Sequence, residues 1–284
     1  MNPVYLKTFV AVAELKHFAR AASACNLSQP AVSHQIAQLE AEVGAKLLNR
    51  APRHVSLTVA GEVMLEEARR ILASIDRARE RMHEVTSGAV GRIRLGATAT
   101  PGLYLLPPLL SEYRTAHPAF DLQFQIAPVD EIAERVARND LDMAVIAGRP
   151  PTSELRRKTL LHDELIAIGA PKASDEQCWI LREESSTTRR EVDAWLDRRG
   201  LVPARTMIFD GPDAVKRAVM AGLGISIVSR LTVEEELASG RLVPLDLGAA
   251  LPKREICVVD HPQKHHGAAC SAMLQLFAER FTGG

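Results

Sequence analysis

Apolar positions along the first 40 residues follow a helical period. Near the amino terminus they lie three or four positions apart and predict a helix over residues 3–15. An Ala-rich stretch predicts a short helix over 18–24, and a third apolar stripe predicts a helix over 28–40. A tight turn at residues 25–27 separates the last two helices. This order favours a helix-turn-helix arrangement.

The third predicted helix, in the stretch LSQPAVSHQIAQLE from residue 27, combines an apolar stripe with an unusual polar face. Its polar side chains are uncharged hydrogen-bonding groups, where a surface helix typically carries Glu and Lys. Such groups match the donors and acceptors of DNA base edges, so we predict that this helix enters the major groove. The residues predicted to contact bases are Gln29, Pro30, Ser33, His34 and Gln38. A solvated amphipathic helix is the alternative.

The segment KLLNRAPRHVSLT, residues 46–58, predicts a short hairpin with a basic tip. The alternation Val55-Ser56-Leu57 is typical of a strand, and Pro52 marks the turn. Arginine side chains on such a wing can reach phosphates or the minor groove. We predict this role for Arg50 and Arg53.

From Val59 to about Thr86 the apolar residues alternate four and three positions apart. This seven-residue repeat predicts one long helix with an apolar seam that packs against a second copy of the chain. The seam residues are Met64, Ala68, Ile71, Ile75, Ala78, Met82 and Val85. The alternative is a helix whose seam packs on its own domain. Small residues at 86–91 predict a hinge after the helix.

Beyond residue 91, short apolar strands alternate with helices, which predicts α/β architecture with mainly parallel sheets. In such folds ligands bind at the carboxyl ends of strands, where helix N-termini point. Two hydroxyl-rich stretches fit these positions, GATATPG at 96–102 and SSTT at 185–188. We predict a small anionic ligand bound by Thr98, Thr100, Ser185, Ser186, Thr187 and Thr188. The alternative for SSTT is plain helix capping, and the nearby cation Arg189 ranks below the hydroxyls.

Composition excludes several classes of protein. Of 284 residues, 46% are hydrophobic and 25% are charged, which is typical of soluble globular domains. Lys+Arg and Asp+Glu both number 35, so only a local patch can favour nucleic acid. No apolar run reaches the about 18 residues of a membrane helix, and the amino terminus lacks a signal-peptide layout. We therefore expect a cytoplasmic protein.

Other chemistry-bearing residues lack supporting partners in the sequence. The four cysteines are widely spaced, which is typical of reduced thiols. His261, His265 and His266 have no carboxylate or thiol at metal-ligand spacing, so we expect no metal site. Because no nucleophile motif, phosphate loop or paired-carboxylate site is present, we expect no cofactor and no enzyme activity.

Two motifs together resemble the DNA-binding domain of LysR-type transcriptional regulators. The first is FARAASACNLSQPAVSHQIAQLE, residues 18–40, and the second is R-x-x-R-x-V-x-L-T-x-A-G from Arg50 to Gly61. Two positions depart from the family's pattern. His17 stands where a capping Ser is common, and Leu48 where a Phe is common. We expect His17 to loosen the start of the second helix.

The resemblance implies a fold that joins an all-α/winged amino-terminal module to an α/β sensor. It implies a winged helix-turn-helix at 1–58, a linker helix and hinge at 59–90, and an effector-binding domain at 91–284. That domain resembles the two-lobed type 2 periplasmic binding proteins, with chain crossings near 161–165 and 261–265. Lobe 1 is expected to comprise 91–162 plus 266–284, and lobe 2 to comprise 163–265.

The resemblance also implies a ligand-responsive regulator that binds double-stranded DNA. The linker helix is expected to form a homodimer that places two recognition helices on two half-sites, and the sensor domains to form a homotetramer. The positions that match our hydroxyl residues line the effector cleft in the family. A solute-binding protein or an enzyme with an amino-terminal interaction module is the competing hypothesis.

Overall fold

The structure is a computed structural model that describes residues 1–51, 54–87, 91–150, 155–172, 178–262, 264 and 266–281. Contacts divide the chain into two compact units, Met1–Ser87 (unit 1) and Gly88–Gly284 (unit 2). None of the described helices combines the length and apolar character that crossing a membrane requires.

Unit 1 contains four helices and one hairpin among its described residues. Its elements are α1 (Pro3–Leu15), α2 (Phe18–Ala24), α3 (Gln29–Val43), β1 (Leu48–Ala51), β2 (His54–Leu57) and α4 (Val59–Ser87). The turn between α2 and α3 closes through Asn26, whose φ of 55° is left-handed, and through a 2.9 Å hydrogen bond from Leu27 N to the Ala22 carbonyl. His17 caps α2, because its Nδ1 accepts a hydrogen bond from Arg20 N at a long 3.5 Å.

The core of unit 1 includes the beginning of the long helix. Leu6 and Phe9 of α1 and Ile36 of α3 are fully buried, and Met64 and Ala68 of α4 pack in the same core. The predicted linker helix, 59–90, therefore does not stand apart from the predicted module 1–58, because the beginning of α4 shares its hydrophobic core. The predicted hinge falls partly on residues 88–90, which lie outside the described residues.

Unit 2 alternates strands and helices as predicted. Its strands are β3 (Arg92–Ala97), β4 (Asp121–Ile126), β5 (Met143–Ala147), β6 (Arg156–Gly169), β7 (Cys178–Arg182), β8 (Arg205–Phe209), β9 (Ser226–Ser229), β10 (Val243–Leu245) and β11 (Lys253–Asp260). Its helices are α5 (Leu106–Ala116), α6 (Val129–Ala137), α7 (Thr187–Arg199), α8 (Pro212–Met220), α9 (Glu234–Ala238) and α10 (Ala268–Phe281). A π-helical segment, Pro101–Leu105, precedes α5, and a 3₁₀ turn, Arg230–Thr232, follows β9.

The main sheet is mixed rather than mainly parallel, so that expectation is wrong. Among the described strands its order is β10-β6-β11-β5-β3-β4, with β9 also paired to β6. β3 is parallel to β4 and β5, but β11 is antiparallel to β5 and β6. The sequence pattern missed the first half of β6, because residues 156–164 are mostly polar or exposed.

β6 and β11 connect the two lobes of unit 2. β6 changes partners after Glu164, from β11 to β9 and β10, and this change lies inside the predicted interval 161–165. The return occurs where β11 begins, since Ile256 and Val258 lie in the core of the first lobe with β3 and α5. The predicted return at 261–265 is therefore wrong, and the second lobe spans about 165–252.

Both lobes bury a sheet between helices. In the first lobe α5 and α10 cover one face and α6 covers the other. In the second lobe, successive residues of β6 point to opposite faces of the sheet. Ile166 and Ile168 face α8, whereas Leu165 and Ala167 face α7. This arrangement places the start of α7 and the end of β3 at the cleft between the lobes.

Candidate functional site

α3 presents the predicted base-contacting residues on one outer face. Its N-cap is Ser28, whose Oγ accepts a hydrogen bond from Ala31 N at 3.3 Å. Val32, Ile36 and Leu39 are fully buried on the inner face. On the outer face the exposed residues are Gln29, Pro30, His34 and Gln38, beside the half-buried Ser33. The structure therefore brings the five predicted residues together.

Two other polar residues of α3 hold unit 1 together instead. Gln35 accepts a 2.6 Å hydrogen bond from the Thr8 hydroxyl of α1. Glu40 is buried and accepts hydrogen bonds from Leu47 N at 3.0 Å and Lys46 Nζ at 2.8 Å, so it ties α3 to the start of the wing. Burial raises the pKa of Glu40, but these hydrogen bonds outweigh it and hold the pKa below the ordinary 4.5.

Sequence analysis missed the role of Glu40. It lies four positions after Ile36 on the apolar stripe, which is the feature that distinguishes it from solvated acids.

The T-x-A-G part of the second motif fixes the start of α4. Thr58 Oγ1 accepts a hydrogen bond from Gly61 N at 2.9 Å and donates one to the Lys46 carbonyl at 2.7 Å. A Cβ on Gly61 would lie 2.0 Å from the Leu47 carbonyl oxygen. Only glycine permits this close approach of two backbones.

The wing is an antiparallel hairpin in which Leu48 pairs with Leu57 and Arg50 pairs with Val55. The side chain of Arg50 and all of Arg53 lie outside the described part of the chain. Their contact with DNA remains a prediction from the sequence.

The predicted dimer seam of α4 divides into two parts. Met64 and Ala68 are buried in the core of unit 1, and Ile71 packs against that core. The dimerisation role predicted for Met64 and Ala68 is therefore wrong, because their own unit covers them. Further along, Ile75 is half-buried, Ala78 is exposed and the Met82 side chain is 61% exposed. The side chain of Val85 lies outside the described residues.

A cavity of about 170 Å³ lies between the two lobes of unit 2. Its lining includes every residue predicted to bind the anion: Thr98, Thr100, Ser185, Ser186, Thr187 and Thr188. Arg182, Glu183 and the segment 126–129 complete most of the remaining wall. The volume is below the roughly 300–1,000 Å³ of drug-sized pockets, so the cavity suits a small ligand.

Five of the six predicted hydroxyl groups at the cavity, those of Thr98, Thr100, Ser186, Thr187 and Thr188, accept hydrogen bonds from protein donors. Thr98 Oγ1 accepts one from Ala147 N at 3.0 Å. Ser186 Oγ accepts one from Arg189 N at 3.4 Å, so helix capping is correct for this residue. Thr100 and Thr188 accept from the guanidinium of Arg254, at 3.3 Å and 2.9 Å.

Arg254 is the residue that sequence analysis missed at this site. Its side chain is 2% exposed and its Nε donates to Asp163 Oδ2 at 2.8 Å, while Asp163 is fully buried. Burial lowers the pKa of Arg254, and the neighbouring Asp163 acts in the opposite direction. A charged residue at the start of an apolar strand, as in KREICVV, was the available sign in the sequence.

Two arginines near the cavity are neutralised by carboxylates. Arg182 is buried and bonds to both oxygens of Glu183, at 2.7 Å and 2.6 Å. Burial raises the pKa of Glu183, but Arg182 outweighs this effect, and the pKa lies below its ordinary value. Arg189 bonds to Asp193 at 2.8 Å and to the Arg182 carbonyl at 2.8 Å. This agrees with its low rank as a ligand-binding residue.

Side-chain pairs other than the Arg254 contacts also join the lobes across the cleft. The Tyr104 hydroxyl, from the first lobe, donates a hydrogen bond to Asp213 of α8. Burial and this hydrogen bond raise the pKa of Tyr104 above its usual range. Arg190 of α7 pairs with Asp130 of α6 at 2.9 Å. The lobes therefore contact each other through these polar pairs.

His266, which the sequence does not favour as a metal ligand, bonds to other side chains of the protein. His266 Nε2 lies 2.5 Å from Asp260 Oδ2, and Arg156 bonds to the same carboxylate. Within the described residues, no group of three His, Cys, Asp or Glu side chains is arranged to hold a metal ion. His265 lies outside the described residues, and Cys178 is buried.

Comparison with known proteins covers both units. Residues 4–62 match the family model of the bacterial regulatory helix-turn-helix protein, lysR family, and residues 86–282 match the LysR substrate binding domain. The HTH-type transcriptional regulator CysL of Bacillus subtilis (strain 168) is 32% identical over 270 residues, which cover 90% of each chain. The HTH-type transcriptional regulator CbbR of Rhodospirillum rubrum is 33% identical over 282 residues, which cover 95% of this chain and 93% of that protein.

A solved structure agrees with these matches. Full-length LysG from Corynebacterium glutamicum, determined with bound effector Arg, gives a TM-score of 0.68 at 19% identity and covers 100% of this chain and 99% of that one. The predicted family and fold class are confirmed, and so is the prediction that the chain is a regulator and not an enzyme. The chain belongs to the LysR family of ligand-responsive, DNA-binding transcriptional regulators.

Proposed function

We propose that this regulator contacts promoter half-sites through the outer face of α3, as a dimer of dimers, and is switched by a small anion between the lobes of unit 2. The observation that carries the proposal is the outer face itself. Gln29, His34 and Gln38 are exposed, whereas Gln35 and Glu40 are bonded within the unit. Double-stranded DNA as the proposed partner supports a cytoplasmic location.

A gel shift tests the DNA-binding part of the proposal. The intact protein is mixed with sheared genomic DNA, and footprinting then follows on the region upstream of its own gene. We expect a protected region with two half-sites that survives excess unrelated DNA. Binding that the unrelated DNA removes completely would contradict sequence-specific recognition.

The second half of α4 supports dimerisation. Its seam residues Ile75 and Met82 are not buried by their own unit, unlike Met64. Ile75→Asp introduces a charge into the seam of the dimer and is expected to dissociate it, because a buried charge without a partner is costly. Sedimentation velocity gives the result, and Ser74→Asp is the matched control, since Ser74 is an exposed neighbour.

Ile71→Asp is expected to behave differently, because Ile71 packs on the core of unit 1. It should lower the melting temperature of unit 1 rather than only change the oligomer. If Ile75→Asp left the sedimentation coefficient unchanged, the dimer would have to form elsewhere.

Further assembly into a homotetramer is proposed to use unit 2. β8 pairs only with β7 among the described strands, and its residues Met207 and Ile208 are exposed. An exposed apolar edge strand is suited to a second copy of the chain. Ile208→Asp should convert tetramers into dimers without dissociating the dimers, and sedimentation distinguishes the two species.

The anion site is supported by hydroxyls and by a helix end. Thr98 and Thr100 lie on the first lobe, and residues 185–188 lie at the start of α7. The first N–H groups of a helix have no partner within the helix, and the helix dipole favours negative charge there. An anion bound to both lobes favours their closed arrangement by as much as its affinity differs between open and closed states.

Titration of sodium acetate, phosphate and sulfate against thermal stability tests this site, with chloride holding the ionic strength constant. A ligand that binds the folded state raises the melting temperature with concentration. The response should disappear in Thr100→Val combined with Ser186→Ala. Because Ser186 caps α7, the double variant melts lower without ligand, and only the ligand-dependent rise is compared.

The matched control is Thr115→Val, an exposed threonine on α5 outside the cavity. It should respond to the anions as the wild type does. A double variant that also responded like the wild type would place the effector elsewhere.

A further inference from the structure

The guanidinium of Arg254 contacts both walls of the effector cavity at once. Its Nη2 donates to Thr100 Oγ1 of the first lobe at 3.3 Å. Its Nη1 donates to Thr188 Oγ1 and Thr187 Oγ1 of the second lobe, at 2.9 Å and 3.4 Å.

The strands that connect the lobes hold Arg254 in this position. Arg254 on β11 lies directly opposite Asp163 on β6 in the antiparallel ladder. Arg254 Nε donates to Asp163 Oδ2 at 2.8 Å, and Ser229 Oγ donates to Asp163 Oδ1 at 2.7 Å. The carboxylate thus bonds to the Nε edge, whereas the two Nη groups bond to the cavity hydroxyls. The ion pair presents its positive end to those hydroxyls.

This arrangement determines what the hydroxyls can offer a ligand. A guanidinium only donates hydrogen bonds, so the oxygens of Thr100, Thr187 and Thr188 must act as acceptors toward it. Each hydroxyl keeps its own O–H for a further bond. A hydroxyl that accepts from a cation is also polarised and becomes a better donor. At the cavity these threonines are therefore donors.

We infer that Arg254 is a positioning residue of the effector site, which orients the hydroxyls of both lobes as donors so that they select the oxyanion end of a small ligand. This inference rests on the proposed anion site and names the ligand chemistry. The ligand end at these threonines is a carboxylate or an inorganic oxyanion, whose oxygens accept hydrogen bonds. An ammonium group there would oppose donor to donor, and an amide could accept only through its single carbonyl oxygen.

The other charges around the cavity are compatible with this selection. Glu183 is the carboxylate on the cavity wall, and both of its oxygens bond to Arg182. Asp163 and Arg254 likewise form a pair. The charged pairs are balanced, so the preference for an anion comes from the orientation of dipoles and hydroxyls. Because one guanidinium contacts both walls, it also couples anion binding to the closed arrangement of the lobes.

The test compares two variants of Arg254 in the intact protein. Arg254→Lys keeps the charge, but an ammonium lacks the planar fork that contacts both lobes. Arg254→Met combined with Asp163→Asn removes the ion pair as a unit, because Arg254→Met alone would leave a buried carboxylate without its partner. Lys253→Met is the matched control, since it removes an exposed neighbouring cation that pairs with Glu164. Circular dichroism and DNA binding verify folding.

The probe is whichever of acetate, phosphate and sulfate raises the wild-type melting temperature most. We expect both Arg254 variants to bind it at least about tenfold more weakly, since hydrogen bonds that involve charge are lost. The affinity of Lys253→Met should stay within about twofold of the wild-type affinity, because surface charges contribute little. In the Arg254 variants, the affinity for acetamide, the neutral counterpart of acetate, should rise relative to the affinity for acetate.

A double-mutant cycle separates positioning from a merely structural role. If Arg254 acts through the hydroxyls, adding Thr100→Val and Thr188→Val to Arg254→Lys should cause little further loss of affinity. Fully additive losses, or wild-type affinity in Arg254→Lys, would overturn the inference while the anion site stands. A wild type that responds to none of the three anions would overturn both proposals.

Discussion

The recognition helix and the effector cleft use polar residues in opposite ways. On α3 the outward groups such as His34 and Gln38 are exposed, and a separate set that includes Glu40 holds unit 1 together. At the cleft, Thr100 and Thr188 line the cavity and are also buried and bonded to Arg254. The residues proposed to bind partners and the residues that stabilise the fold are therefore different in unit 1 and the same in unit 2.

This difference has a physical origin. A helix that enters a groove must present its donors and acceptors to a partner, so its contact face takes no part in the core. A cleft that closes on a small ligand buries its polar groups, and buried polar groups need protein partners when the ligand is absent. Substitutions should therefore separate function from stability in unit 1 and combine them in unit 2.

The largest effect is expected at Gly61, where the backbones of α4 and the wing are in close contact. Gly61→Ala would place a Cβ 2.0 Å from the Leu47 carbonyl oxygen, so the wing or α4 must move. We expect a loss of about 3 kcal/mol in the stability of unit 1, measured by calorimetry on the intact chain. Gly44→Ala is the comparison, because its φ of 69° is unfavourable for alanine but nothing lies within 4 Å. Its cost should be only about 1 kcal/mol.

The outer face of α3 should show the reverse behaviour. Ser33→Ala or His34→Ala is expected to cost on the order of 1–3 kcal/mol at the specific DNA site. The melting temperature of His34→Ala should not change, because His34 is exposed. Arg53→Ala should weaken binding to all DNA about equally and flatten its salt dependence, since it removes a phosphate contact.

Binding isotherms on the footprinted site and on unrelated DNA, at several salt concentrations, check these expectations. The same sequence-independent loss for Ser33→Ala and Arg53→Ala would show that the roles were assigned incorrectly.

The sequence predicted most where one residue's environment is set by its near neighbours. The bounds of α1 and α2 and the outer face of α3 follow from a helical period, because the face of a helix depends on residues three and four positions away. The six hydroxyl residues of the cavity were found from their places beside predicted strand and helix ends.

The rest depended on contacts between distant positions. Thr100 and Arg254 are 154 residues apart, and no local pattern pairs them. The first half of β6 has no apolar alternation, because it forms the connection between the lobes. The seam of α4 has the right period, but the sequence does not show that α1 and β2 cover its beginning.

A single cleft threonine tests whether stability and function coincide there. Thr188→Val removes the acceptor that is 2.9 Å from Arg254 Nη1, so a buried guanidinium group loses a hydrogen bond. We expect unit 2 to lose about 1 kcal/mol of stability and the anion response to weaken in the same variant. Thr206→Val, on the exposed strand β8, should change neither by more than about 0.5 kcal/mol. If the anion response weakened while stability stayed unchanged, ligand binding and stability would depend on different groups in the cleft, as proposed for α3.

The smallest effect concerns how the stability of unit 1 depends on pH through Glu40. The pKa of Glu40 in the folded protein is below its ordinary 4.5, because hydrogen bonds to its charged form outweigh burial. Its contribution to stability is therefore complete above about pH 4.5 and is lost as the pH falls through the lowered pKa. Glu40→Gln should be less stable than wild type at pH 7, and this difference should shrink as urea unfolding is repeated from pH 5 to 3.5. Glu42→Gln, at an exposed position, is the control. A difference that did not change with pH would mean that ionisation of Glu40 does not contribute to stability.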